Sequence, residues 1–276
     1  MRLERRELLD PRESTEAAAD PITGAVNIPF IEMSDRVAEL PPREQEIGVV
    51  GPPGLVREVI DWLAARGRRG VSISGRTKQG IPQTANPGPG CLWRPNAFLE
   101  EILPQLMPGT ALDLACGMGR EAVFLAAAGW TVTAIDILPD ALERAAKFAD
   151  RYRDAILPIR WLAYDLEHGL PAQNNKYDLI TIFRYLHRPM IQDLRRQLRP
   201  GGSVLYETFT TEHRQRHGRP SRSADVLEPG ELQSLFAGYQ IRHSSEAWRG
   251  AAHTARVWAT LPAENDVLDR GDDSDS

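Results

Sequence analysis

Leu112-Asp113-Leu114-Ala115-Cys116-Gly117-Met118-Gly119-Arg120 is the stretch on which the fold turns. It places a carboxylate inside a short apolar run, follows it with small residues and two glycines, and leads into residues 120–128, rich in good helix formers. Without Cβ atoms, Gly117 and Gly119 let the backbone turn sharply and approach a ligand closely. The pattern predicts a buried strand over 111–115, a tight turn and a helix, with a ligand beyond the strand's carboxyl end. About twenty residues on, the β-branched run 131–135 predicts a second strand with Asp136 at its tip. A carboxylate there accepts hydrogen bonds from vicinal ribose hydroxyls, so the expected ligand contains a nucleoside.

Downstream, strand-like and helix-like segments alternate. Residues 139–150 open with proline and continue Ala/Leu/Lys-rich, which predicts a helix. Residues 159–163 predict a short strand, and 177–183, a nearly continuous apolar run, a strand buried on both faces. A helix over 190–198 is expected to stop at Arg199-Pro200-Gly201-Gly202, before a strand over 203–208. Alternation of this kind implies crossover units and a parallel sheet. A helix over 229–236 follows, then strand-like pieces 240–244 and 255–261 with no helix between them, which predicts an antiparallel pair at one sheet edge.

Composition bounds the rest. The chain has 276 residues, 42% apolar and 26% charged, with a formal net charge of −5. Such a chain can bury a core, and it carries no strongly basic field for nucleic acid. No apolar run reaches the roughly 20 residues that span a bilayer, and residues 1–10 lack an apolar signal-peptide centre. Only Cys91 and Cys116 occur, too few for a disulfide framework or a zinc site, so no metal is expected and a cytoplasmic location is. Residues 67–90 are rich in Gly, Arg, Ser and Pro and read as domain edge plus linker, with the linker proper at 81–92. The terminal residues 263–276 are acidic, almost without apolar side chains, and read as a disordered tail.

The nucleoside can be read in two ways. Gly117-x-Gly119-x-x-Ala122 fits the relaxed dinucleotide fingerprint, which keeps an NAD-dependent oxidoreductase in view. Asp113, however, would repel a pyrophosphate and attract the ammonium of an amino-acid-bearing cofactor. Together with Asp136, Asp165 in Ala163-Tyr164-Asp165-Leu166, Tyr177-Asp178-Leu179-Ile180 and Leu198-Arg199-Pro200-Gly201-Gly202, the glycine stretch resembles the class I S-adenosylmethionine-dependent methyltransferases, in order, over about 170 residues. The resemblance implies an α/β, Rossmann-like sheet over 93–262, mostly parallel with an antiparallel edge strand. It implies S-adenosylmethionine as cofactor, its methionine portion at Asp113, Ala115, Cys116, Gly117, Gly119 and Arg120. Asp136 with Ile137 would take the ribose, Asp165 with Leu166 the adenine, and Phe183 would face the sulfonium or the adenine.

Within that class the likeness is to small-molecule enzymes of the tellurite-resistance type, which implies a small methyl acceptor. Arg188-Pro189 is not the Asn/Asp-Pro-Pro-aromatic motif of amino-methylating enzymes that act on nucleic acid. Methyl transfer is an in-line displacement that mainly needs alignment; a general base helps if the acceptor is a hydroxyl. Candidates after the fourth and fifth strands are Arg184, Tyr185, His187, Glu207, Thr208 and His213, with Tyr185 and His187 as acid–base candidates and Arg184, Tyr185, Glu207 and Arg219 facing the acceptor. Arg219 belongs to a polar loop expected over 213–222, which holds four arginines, and Trp93-Arg94 stands where it would close over the pocket or pack. A homodimer stays open, as does a non-catalytic scaffold, although a scaffold has no need of Asp113, Gly117, Gly119 and Asp136 together.

Residues 1–80 carry a second resemblance. Leu9-Asp10-Pro11-Arg12-Glu13, Ile22-Thr23-Gly24-Ala25-Val26-Asn27-Ile28-Pro29 and the strand 47–50 before a helix 55–66 resemble rhodanese-like domains, which implies a smaller α/β module. The persulfide-forming cysteine of that family would open the loop where this chain has Gly51. Sulfur transfer needs a thiolate, so the module is expected to be inactive.

Overall fold

The computed structural model describes residues 3–73, 90–171 and 176–263; most of the expected linker and nearly all of the expected acidic tail lie outside the described residues. The chain divides into two compact units, Met1–Arg94 with Lys147–Ile156, and Pro95–Ala146 with Leu157–Ser276.

The first unit contains strands β1 (Glu4–Arg5), β2 (Leu8–Asp10), β3 (Ala25–Asn27), β4 (Ile47–Val49), β5 (Gly70–Ser72) and β6 (Gly90–Cys91), with helices α1 (Ser14–Ala19) and α2 (Pro53–Ala64). Four of the strands form a wholly parallel sheet in the order β3-β2-β4-β5, and β1 pairs with β6. Leu9, Ile47, Val49, Val59 and Leu63 are fully buried and make its core. Helix α2 begins two residues before its expected start because Pro53, which lacks an N–H, fits the first helical turn. Arg12 holds Asp10 through two side-chain hydrogen bonds of 2.9 and 2.7 Å, so this buried pair is neutralised internally. Cys91 and Leu92, read as the end of a linker, are buried, with Cys91 in β6. Trp93 is buried too: its indole N–H donates to Tyr152 Oη at 2.9 Å and its ring meets the edge of Phe148, a packing role.

The second unit contains helix α3 (Ala97–Ile102) and a seven-stranded sheet of β7 (Thr110–Leu114), β8 (Thr131–Asp136), β9 (Ile159–Ala163), β10 (Tyr177–Phe183), β11 (Leu198–Phe209), β12 (Gln240–Arg249) and β13 (Ala252–Thr260). Helices α4 (Arg120–Ala127), α5 (Pro139–Asp150), α6 (Arg188–Gln197), α7 (Thr211–His217) and α8 (Glu231–Leu235) connect the strands. The order is β12-β13-β11-β10-β7-β8-β9, with β9 through β11 parallel and β13 reversed. The antiparallel pair expected at one sheet edge is there, β12 outermost against β13, but the strand that runs against all the others is β13, one place in from the edge. Burial decides this. β13 offers mostly buried positions and takes the inner place, whereas β12 alternates exposed and half-buried residues and accepts the edge.

Two further expectations change. Residues 213–222 do not form a loop throughout, because α7 runs to His217 and ends at Gly218 in the left-handed region. Arg199-Pro200-Gly201-Gly202 turns, as expected, but within a strand: Leu198 pairs with Tyr177 and Ser203 with Leu179, so these four residues stand opposite Asp178 alone. Asp178 secures that bulge by accepting from the Thr110 amide at 2.7 Å, the Thr110 hydroxyl at 2.8 Å and Arg199 at 2.5 Å, tying β7, β10 and β11 together. A Cβ on Gly109 would lie 2.4 Å from its Oδ2, which explains the glycine there.

Burial alone would raise the Asp178 carboxyl, but the Thr110 amide, Arg199 and the Thr110 hydroxyl bring it below its ordinary value. A lowered carboxyl contributes stability above the unfolded value of about 3.9 and loses it as pH falls through the folded one. Asp178→Asn should cost about 1–3 kcal/mol at pH 6. In denaturant unfolding against pH, the gap from the parent protein should close below about pH 4.

Candidate functional site

The strand order reverses at β7: β8 and β9 extend from one flank, β10 and β11 from the other. Crossovers that leave in opposite directions open a crevice beyond the carboxyl ends of β7 and β10. Two non-glycine residues there adopt the left-handed region, Ala115 (φ +55°) directly after β7 and Arg184 (φ +61°) directly after β10. Ile182 pairs with Leu114, so these bends stand side by side. Each costs on the order of 1–3 kcal/mol, and such strain concentrates where a chain serves a ligand. Backbone hydrogen bonds hold both bends, from Cys116 N–H to the Ile135 carbonyl at 2.9 Å and from Arg184 N–H to the Glu207 carbonyl at 2.8 Å.

Asp136 shapes the crevice floor. Its Oδ2 accepts from the Gly117 amide at 2.7 Å and its Oδ1 from the Leu138 amide at 3.0 Å, which fastens the glycine turn to the end of β8. Each oxygen keeps a further lone pair. Beside it Ile137 and Leu138 are 55% and 58% exposed, an apolar lip at the crevice. The two glycines of the turn serve different needs. A Cβ on Gly117 would meet nothing within 4 Å, so that face is open space. On Gly119 it would lie 2.7 Å from the Trp161 ring and 3.0 Å from Ala145, so its missing side chain makes room for packing.

Asp113 is fully buried in β7. Its Oδ1 accepts from the Thr181 hydroxyl at 2.9 Å across the strand pair, and its Oδ2 is buried with no hydrogen-bond partner. Burial, with the charge of Glu121 behind it, pushes this carboxyl well above the usual range. A buried unpaired oxygen is costly, and a cationic or donor group arriving from the crevice would relieve it.

The remaining expected residues are distributed as follows. Asp165 caps the short turn Leu166–His168, accepting from the Glu167 amide at 2.9 Å, and Leu166 is in the core. Cys116 is buried, and burial drives its thiol far up. Arg120 is lowered by burial, favoured by Glu121 and disfavoured by Arg184. Phe183 is half-buried at the end of β10 and Arg184 is exposed. Tyr185 is pushed up to about 12 by burial and then by Glu167 and Asp165, so it does not ionise near neutrality. His187 precedes α6, and its Nδ1 is buried without a partner. Glu207 is buried and engaged, accepting from Thr254 Oγ1 at 2.5 Å with Arg256 at 3.5 Å; Thr208 is buried in β11. Sequence reasoning missed Thr181, whose sign was a lone hydroxyl in the apolar run Tyr177–Phe183, and the group Thr210, Glu212 and His253, brought together only by the reversed β13.

Residues 111–202 match a family model described as a methyltransferase domain. Hemagglutinin 1 of Eikenella corrodens is 35% identical over 160 residues, covering 55% of this chain and 51% of that protein. An uncharacterised methyltransferase of Mycobacterium bovis is 35% identical over 130 residues, 43% of this chain and 61% of its own. The chain thus spans about half to three-fifths of the length of these curated relatives. Among solved structures, TehB from Haemophilus influenzae superposes with a TM-score of 0.50 at 17% identity, over 60% of this chain and 62% of that one, a likeness of fold.

The two glycines give separable outcomes. Gly119→Ala should lower unfolding stability by about 1–3 kcal/mol through the Trp161 contact and its φ of +74°. Gly117→Val meets no neighbour but is strained by its own φ of +52°, so it should also cost about 1–3 kcal/mol in unfolding stability, and it alone should fill the open face of the crevice.

Proposed function

We propose that the chain is an S-adenosylmethionine-dependent methyltransferase that transfers the methyl group to a small-molecule acceptor in the crevice beyond β7 and β10, a reading supported by the matched methyltransferase domain. The observation that carries the site assignment is the buried, unpartnered Oδ2 of Asp113 behind the open face of Gly117. The donor set suits the cofactor. Asp113 offers its free oxygen to the amino-acid ammonium, while Ala115, Cys116, Gly117, Gly119 and Arg120 form the turn around it. Asp136 keeps lone pairs for ribose hydroxyls, with Ile137 as an apolar neighbour. Asp165 and Leu166 border the adenine side and Phe183 the sulfonium side.

The cofactor supplies a methyl group made electrophilic by a positive sulfur. What the chain contributes is alignment and dryness: the strained bends at Ala115 and Arg184 fix the crevice mouth before any ligand arrives, which lowers the cost of reaching near-attack geometry. Tyr185 remains protonated at neutral pH and acts as a donor or as a wall. Likeness to the tellurite-resistance type supports a small acceptor, and the net charge of −5 speaks against nucleic acid. No helix among the described residues is long and apolar enough to cross a membrane.

The first unit is read in the same way as a rhodanese-like module without its thiol. Its parallel sheet supports this, with Gly51 at the loop between β4 and α2 where the cysteine would stand.

Calorimetric titration of the chain with S-adenosylhomocysteine, with NADH in a parallel experiment, tests the central reading. Micromolar binding of the first alone is expected, and Asp136→Ala should weaken it by about 1–3 kcal/mol. Binding of NADH alone would replace the proposal with a dinucleotide enzyme, and binding of neither would leave a scaffold.

A further inference from the structure

The acceptor side of the crevice is built by the end of β10, the end of β11 with α7, and the start of β13. Register brings them to one edge: Phe183 pairs with Glu207, and Phe209 pairs with Thr254. On this edge the carboxylates are engaged, Glu207 by Thr254 and Arg256 and Glu212 by His253. Arg184 is exposed, held in a strained backbone conformation, and its guanidinium has no hydrogen-bond or ion-pair partner among the described residues. Of the four arginines after β11, three are occupied. Arg214 donates to the Ser221 carbonyl, Arg216 lies 4.6 Å over the Trp248 ring, and Arg222 pairs with Asp225 at 2.8 Å. Arg219 has no such partner among the described residues.

His213, on α7, lies within electrostatic reach of both Arg184 and Arg219. Its ring stacks on Phe209, centroids 4.2 Å apart and 18° between planes, and its Nδ1 lies 3.3 Å from the His253 amide, which can only donate. Nδ1 is thus the acceptor, and in the neutral ring Nε2 carries the proton. Burial, followed by the charges of His217, His253, Arg184 and Arg219, keeps the ring from gaining a second proton. His253 is fixed in turn, with Thr210 Oγ1 2.6 Å from its Nδ1 and Glu212 Oε2 3.2 Å from its Nε2. The scaffold around His213 therefore holds it as a hydrogen-bond donor and denies it the role of base.

We propose that Arg184, Arg219 and His213 form an anion clamp, and that the methyl acceptor is a small carboxylate or comparable oxyanion that reacts without a catalytic base. Two guanidinium groups and one N–H suit the lone pairs of such a group. The chemistry balances without proton transfer: an acceptor oxygen forms a bond to the methyl carbon while the carbon–sulfur bond breaks, and its electron pair stays on sulfur. The negative charge of the acceptor and the positive charge of the sulfonium cancel, leaving a methyl ester and a thioether. Acceptors that must lose a proton to react would need a base, and the fixed tautomer of His213 keeps that residue from being one.

The inference rests on the crevice being a methyl-transfer site, but its test reads anion binding directly. Benzoate, inorganic sulfate and the neutral benzamide are titrated into the full chain by calorimetry, with S-adenosylhomocysteine measured on the same preparations. Benzoate or sulfate is expected to bind and benzamide not. Arg184→Gln and Arg219→Gln should each weaken the anion about tenfold, and His213→Phe should weaken it while His213→Asn, which keeps a donor, retains more affinity. Preference for benzoate would mark an organic carboxylate, and preference for sulfate an inorganic oxyanion. Equal binding of benzamide, no anion binding, or an unchanged anion affinity in the Arg184→Gln/Arg219→Gln double variant would overturn the clamp. Loss of S-adenosylhomocysteine binding alone would sink the methyltransferase site and leave the clamp standing.

Discussion

A single carboxylate divided between two backbone amides holds the functional edge of this protein together. Asp136 takes the Gly117 N–H on one oxygen and the Leu138 N–H on the other. Beyond the backbone bonds of Cys116 to Ile135 and of Gly119 to Cys116, the turn after β7 depends on this carboxylate, for it contains glycines and a left-handed alanine, conformations a free chain would abandon. With Asp136 in place the turn lies against the end of β8, Gly119 can receive the Trp161 ring, and Asp113 remains buried below. The same side chain thus supports the shape of the crevice and, in the proposed reading, faces the ligand that enters it, so its loss is expected to be felt in both.

Much of the fold was legible in the sequence: β10 is a nearly continuous apolar run buried on both faces, and the edge strand β9, with no buried residue, is marked instead by a short apolar run between turns. Tyr177–Phe183 and Ile159–Ala163 have the very bounds expected, and α5 runs from Pro139 to Asp150 as its opening proline implied. Asp113, Asp136 and Asp165 could be placed on the fold from sequence because they lie in, at the end of, or just after such strands. Elements governed by tertiary contact were not. The strand that passes through Arg199-Pro200-Gly201-Gly202 depends on Asp178, a residue with no local sign of its partners. The inner place of β13 depends on a comparison of two strands for burial, which periodicity in either alone does not reveal. Helix α7 is made of Thr, Glu, His, Arg and Gln, a polar run that looks like a loop until Phe209 and His253 pack beside it.

Electrostatics divide the crevice into two regions of opposite character. On the β7–β9 side the invariable feature is the carboxylate: Asp113, Asp136 and Asp165 are all at strand tips or within them. On the β10–β13 side the carboxylates Glu207 and Glu212 are engaged by Thr254, Arg256 and His253, and the groups left to a ligand are Arg184, His213 and Arg219. An electrophile carrying positive charge and a nucleophile carrying negative charge would each find complementary surroundings, and each would be repelled from the other's place. Orientation then follows from the field of the site as well as from its shape.

The reversed β13 has a consequence for how such a protein can change over time. Running against its neighbours, it brings the turn between β12 and β13 to the same edge as the strand tips, so His253 arrives from a hairpin rather than from a crossover. Hairpin turns tolerate insertion and substitution far better than the connections of a parallel sheet. In the proposed reading the residues that meet the cofactor, Phe183 apart, end before position 170, and those that meet the other substrate begin at 184. Novelty in the second can therefore accumulate in a short, separately editable piece of chain while the first is inherited untouched.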